Sequence, residues 1–158
     1  MGTTYYHECY EKADIVNKIK AEALQTATYG KEVWAVQKHY ETGENMIVLY
    51  LLYKCDGIWG FKDIPECMGP YYFKCPLKFL EMAPEVNANW RDGVREYHKE
   101  QKRRKGLLKK LKLGAKIKLN GRCLPNVFVV THMKPLLGAN NGLTYKIPKT
   151  RIEEVEEA

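Results

Sequence analysis

The chain has 158 residues, 45% of them hydrophobic and 11% aromatic, which suffices for a buried core and excludes wholesale disorder. The formal net charge is +7, and no run of 18 apolar residues occurs, so the sequence predicts no membrane-spanning helix. Five cysteines (Cys9, Cys55, Cys67, Cys75 and Cys123) make an odd number without the two-residue spacing of a zinc knuckle or redox motif, which argues against a disulfide framework.

Thr3 to Cys9, rich in Thr and Tyr, reads as a first strand. From Glu11 to Thr26, Ile15, Val16, Ile19, Ala23 and Leu24 fall at helical spacing and predict an amphipathic helix. Val33 to Tyr40 alternates as a strand, and Glu41 to Asn45 turns. Met46 to Lys54 is apolar on both faces, as expected of a central strand. Asp56-Gly57 then turns the chain into a third strand, Ile58 to Phe61. Asp63 to Cys75, punctuated by Pro65, Gly69 and Pro70, reads as an ordered loop.

Pro76 fits the first position of a short helix from Leu77 to Met82. A longer helix starts near Asn87 or Asn89, either of which can cap it. Trp90, Val94 and Tyr97 stack on its apolar side; Arg91, Arg95, Lys99 and Lys102 line its charged side. Beyond Gln101 the apolar stripe fades, Gly106 is expected to break the helix, and the stretch reads as a helix end or a hinge.

Ala115, Ile117 and Leu119 alternate with Lys116 and Lys118 as a strand, and Asn120-Gly121 turns. Val127 to Met133 is a second strand, Gly138 to Gly142 a turn, Leu143 to Ile147 a third strand and Thr150 to Val155 a last short element. The fold class expected is α+β. Residues 1–100 form a small mixed sheet of three or four strands covered by two helices. Residues 101–113 are a basic linker or helix end. Residues 114–158 are a small SH3-like β module whose acidic tail folds back over the basic tract.

Charge is the strongest functional signal. Thirteen of the 32 residues from Arg91 to Arg122 are Lys or Arg and three are acidic, a net +10, so the other residues sum to −3. Such a block is either solvated or neutralised by a polyanion. The candidate nucleic-acid contacts are Lys99, Lys102, Arg103, Arg104, Lys105, Lys109, Lys110, Lys112, Lys116, Lys118 and Arg122. Trp90, Tyr97, Phe128 and Tyr145 are candidates to stack on bases, against the alternative that they fill a core.

Other chemistry is less well marked. His7 and Cys9 share a strand face and, with Cys67 or Cys75, supply ligand types for zinc, but their spacing is not that of a zinc site. Cys75 precedes a helix start, where the dipole lowers a thiol pKa; the alternative is a buried small residue. His7, Asp63, Glu66 and Cys75 are the residues an enzyme would use. No phosphate loop, dinucleotide fingerprint or nucleophile elbow is present, and no metal or cofactor is expected.

The opening Met1-Gly2-Thr3-Thr4-Tyr5-Tyr6-His7 resembles that of a family of short bacteriophage and integrative-element proteins of unknown function, which reads Met-Gly-Trp-Thr, a variable residue, Tyr-His. Gly60-Phe61-Lys62-Asp63-Ile64-Pro65-Glu66-Cys67-Met68-Gly69-Pro70, with Cys75-Pro76 following, resembles the family's second signature, and the Trp90-Arg91 helix its next element. Thr3 stands where the family has Trp, and Pro65 where it has an acidic residue. The resemblance covers residues 1–7 and roughly 53–97. It implies a mobile-element origin and nothing catalytic.

The function expected is a small basic phage-type accessory protein that binds DNA or RNA, or a nucleoprotein, in the cytoplasm of a bacterial host, with no membrane partner. The absence of a basic region followed by an apolar one at the N-terminus argues against a signal peptide. An alternative is an inhibitor, anti-CRISPR-like or anti-restriction-like, that docks on a host nucleic-acid-handling protein. The enzyme is the third reading.

Overall fold

Two Asx-Gly pairs set two of the hairpins. In the computed structural model, which describes residues 4–6, 11–121 and 125–158, φ is 50° and 81° at Asp56 and Gly57, and 49° and 76° at Asn141 and Gly142. Left-handed backbone at both central residues is the type I′ geometry whose twist matches that of the flanking strands. The chain divides into two compact units, Met1–His98 and Lys99–Ala158.

The first unit contains β1 (Thr4–Tyr6), α1 (Lys12–Glu22), β2 (Gln25–Tyr29), β3 (Glu32–Lys38), β4 (Asn45–Cys55), β5 (Ile58–Pro65), α2 (Leu77–Met82) and the first half of α3 (Ala88–Lys109). A short 3-10 helix, Glu66–Met68, follows β5. The sheet order is β1-β5-β4-β3-β2. Each β3 face has its own core. Val33 and Ala35 pack with Ile15 and Ile19 of α1. Trp34 and Val36 face the other way and pack with Phe79 and Leu80 of α2 and with Trp90 and Val94 of α3. Burial on both faces is why Met46 to Lys54 reads as continuously apolar.

The second unit contains the second half of α3, β6 (Lys116–Leu119), β7 (Val127–Met133), β8 (Leu136–Asn140), β9 (Leu143–Lys146), a 3-10 helix at Lys149–Arg151 and β10 (Ile152–Glu156). Its strand order is β10-β6-β7-β8-β9. Ile117, Leu119, Phe128, Val130, Leu136, Ile147 and Ile152 form the core, with Leu111 from just beyond α3.

The α+β class agrees with the sequence, but several details differ. Every strand pairing among the described residues is antiparallel, not mixed. Hairpins join most successive strands, whereas parallel neighbours need long crossovers. The helix predicted as far as Thr26 ends at Glu22, and Gln25–Tyr29 pairs with β3 instead. Thr26, Thr28 and Tyr29 suit a pleated surface. Strand β5 runs on to Pro65 because β4 is long enough to pair with it throughout. Gly138 lies within β8 and not in a turn: a Cβ there would stand 2.8 Å from Phe128 Cβ, so glycine permits close approach over the core. Gly106 does not break α3, since a lone helical glycine costs only about 1 kcal/mol against alanine.

Candidate nucleic-acid interface

Asn87 starts the helix that carries the basic tract: its side-chain oxygen accepts from the Trp90 amide at 3.0 Å, the N-cap bond expected of Asn before a helix. At 3.6 residues per turn, Lys99, Lys102, Arg103, Lys105 and Lys109, with Lys110 just beyond, fall within an arc of about 160° centred near Gly106. Lys99, Lys102, Lys105, Lys109, Lys110, Lys112 and Lys116 are all exposed, and Lys118 is half-buried. Among the described residues none of these lysines makes an ion pair within 4 Å. Arg122 lies outside the described residues.

The two arginines differ from the lysines. Arg103 donates from Nε and Nη2 to the Glu100 carboxylate at 2.8 and 2.6 Å, and from Nη1 to the Glu153 carbonyl at 3.3 Å. The hydrogen bonds from Arg103 hold the Glu100 pKa below the usual carboxylate value. Arg104 donates from Nη2 to the Lys149 carbonyl at 2.8 Å and from Nη1 to that of Ile152 at 3.5 Å. Arg103 therefore ties the helix end to the start of β10, and Arg104 ties it to that strand and to the 3-10 turn before it. That strand carries the acidic tail, which pairs with β6 and sets Glu154 opposite Lys118 and Glu156 opposite Lys116. Opposed unlike charges on neighbouring strands attract.

The aromatic candidates are mainly core. Trp90 is 4% exposed, stacks on Trp34 with ring centroids 5.8 Å apart, and donates to the Tyr72 carbonyl at 3.0 Å. Phe128 is equally buried and meets Tyr145 edge to face. Tyr97 is half-buried beside His98.

The polar residues that suggested catalysis are arranged for structure. Arg91, placed by spacing on the charged side of its helix, is 3% exposed. Its Nε and Nη2 grip both oxygens of buried Glu66 at 2.8 Å. Nη1 also donates to the Leu80 carbonyl at 2.7 Å, and Nη2 is shared with the carbonyls of Ala83 and Pro84 at 3.0 and 2.8 Å. Glu66 also accepts from the Val86 and Asn87 amides at 2.9 and 2.8 Å. Burial pushes the Glu66 carboxyl up, but the hydrogen bonds from Arg91 and the two amides outweigh it, and its pKa lies below the usual carboxylate value. The same pairing holds Arg91 protonated.

Both Glu66 carboxylate oxygens are thus taken up by structural hydrogen bonds. The Cys75 thiol is fully buried, and desolvation pushes its pKa up to about 12, the opposite of the helix-start expectation. The six-residue helix behind it cannot offset that burial. His7 and Cys9 lie outside the described residues, among which no three His, Cys, Asp or Glu side chains cluster to hold a metal. No helix among the described residues is long and apolar enough to cross a membrane.

Sequence reasoning missed an open cavity of about 690 Å³ on the first unit, lined by residues that include Lys31, Lys62 and Tyr72. These come from three separate segments, so no local spacing marks them. No protein-family model, curated protein or solved structure matches the chain significantly.

Proposed function

We infer that the chain is a small nucleic-acid-binding accessory protein of mobile-element type, working in the cytoplasm of a bacterial host. The lysine face around Gly106 is the observation that carries this reading. Ammonium groups exposed on one side of a helix and free of ion pairs among the described residues suit the regular negative charge of a phosphate backbone. We assign the contacts to Lys99, Lys102, Lys105, Lys109, Lys110 and Lys112. Arg103 and Arg104 anchor the surface, and Lys116 and Lys118 are partly balanced by the acidic strand. The pairing of the second unit's last strand with its first supports the SH3-like reading of this module.

Fluorescence anisotropy with labelled DNA and RNA over a salt series tests this reading. If five phosphates are neutralised, log affinity against log salt has a slope of about −4.5 on a duplex and about −3.5 on a single strand. Base sequence has little effect, because phosphate contacts position without specifying. Undetectable binding at low salt rejects the reading.

One observation favours the second reading, a protein-binding inhibitor. Tyr71 is 91% exposed, and Tyr72, Phe73 and Leu77 are exposed near it in sequence. Exposed aromatics are typical anchors of protein interfaces. A one-to-one complex with a host nuclease that survives digestion of nucleic acid, and is lost on Tyr71→Ser, would put this reading first.

A further inference from the structure

Among the described residues, α2 and α3 pack on one end of the sheet face that carries Trp34. Trp34, Val36 and Leu49 lie beneath α2 and α3. Two residues before Trp34, on the same face, stands Glu32, whose register partner is Leu51; Leu51 in turn opposes Lys62. Tyr53 follows Leu51 on that face. Over this row the cavity of about 690 Å³ opens, and Lys31 and Tyr72 are among its other described lining residues. That volume lies within the range of small-molecule sites.

Its polar groups are few and unequal. Glu32 Oε1 accepts from the Trp34 indole at 3.2 Å, a bond that ties the carboxylate to the core side. Lys31 and Lys62 make no ion pair within 4 Å among the described residues. Both are held in place by backbone: the Lys31 carbonyl accepts from the Leu52 amide at 2.8 Å, and Lys62 sits in the β4–β5 ladder. The Tyr72 main chain is tied to Trp90. Two cations and the Trp34-bound Glu32 carboxylate therefore border a floor of Leu51 and Tyr53, with Tyr72 alongside.

We propose that this cavity binds a small aromatic anion. The planar body lies on Leu51, Tyr53 and Tyr72, and a carboxylate, sulfonate or phosphate meets the ammonium groups of Lys31 and Lys62. An apolar pocket binds the ring, and a few placed charges orient it, the usual division of labour in such sites. Every described lining residue belongs to the first unit and none to the basic tract.

Two fluorescent probes that differ in one group test it: anilinonaphthalene sulfonate and its uncharged analogue phenylnaphthylamine. The sulfonate binds one to one and at least about tenfold tighter than the neutral probe, a difference of about 1.4 kcal/mol. Lys31→Gln with Lys62→Gln removes that advantage and leaves the neutral probe unaffected. Tyr71→Ser, on an exposed ring that does not line the cavity, leaves both probes unaffected. Far-ultraviolet circular dichroism checks that each variant is folded. Equal affinity for the two probes, full sulfonate affinity in the folded double-lysine variant, loss of binding on Tyr71→Ser, or no binding of either probe overturns the proposal.

Discussion

Removing the Arg91 guanidinium would leave the Glu66 carboxylate buried with only two backbone amides to hold it. Breaking a buried pair from one side is costly, so Arg91→Leu should destabilise the first unit by about 3–5 kcal/mol in urea denaturation. Its pH dependence should also reverse. In the parent, the Glu66 pKa is lowered, so its stabilising contribution is complete above the ordinary value of 4.5 and is lost as pH falls through the folded value. In Arg91→Leu the chief lowering partner is gone and burial dominates, raising the pKa. The parent should lose stability as pH falls below about 4.5, and the variant should gain it as pH falls toward 4.5 from above. A variant with the parent's acid profile would show that Arg91 does not govern Glu66. Cys75 gives a second test at this scale. With its pKa near 12 and its thiol fully buried, it should resist iodoacetamide in the native protein while exposed Cys55 and Cys67 are alkylated, as peptide mass mapping would show. The burial of Cys75 was one of two readings the sequence left open, whereas the Arg91–Glu66 pairing was not legible in it. Spacing put Arg91 on a charged face, and only the distant Glu66 explains its burial.

Among the elements, α3 was legible in its start, its cap and its apolar stripe, but not in its length. Gly106 and the dense lysines argue locally for a break, yet the helix continues to Lys109 and delivers Leu111 to the second core. A Cβ at Gly106 would meet nothing within 4 Å, so the fold does not require glycine there. Gly106→Ala should therefore stabilise the helix by about 1 kcal/mol, visible as a raised thermal midpoint. Lys102→Gln, Lys105→Gln and Lys109→Gln together should flatten the salt slope on duplex DNA by about 2.7. They should barely move the thermal midpoint, since exposed charges contribute little to folding. Strand β2 was hidden for a different reason. Ala23 and Leu24 extend the helical spacing past its true end, and only pairing with β3 reveals Gln25–Tyr29 as a strand.

Across the whole chain, charge and compactness divide at the same place. The unit Met1–His98 has 11 Lys or Arg against 14 Asp or Glu, a net −3; the unit Lys99–Ala158 has 15 against five, a net +10. The basic block itself, Arg91 to Arg122, was legible because summed charge needs no partner information. The role of the acidic tail was legible only in part, since proximity to the basic tract follows from charge but strand pairing does not. Strand β10 buries Ile152 in the second core, and its leading segment accepts hydrogen bonds from Arg103 and Arg104. Deleting Ile152 to Ala158 should therefore unfold the second unit and abolish binding, although it raises the net positive charge. Neutralising the tail in place separates charge from structure. Glu154→Gln with Glu156→Gln keeps the strand and frees Lys118 and Lys116 from their opposed carboxylates. Nucleic-acid affinity should rise roughly two- to tenfold at low salt, and the gain should shrink as screening shortens to about 8 Å near 0.15 M. If the double variant binds no tighter at low salt while the deletion binds more tightly and stays folded, the tail is a detachable competitor for the lysines and not a strand of the module.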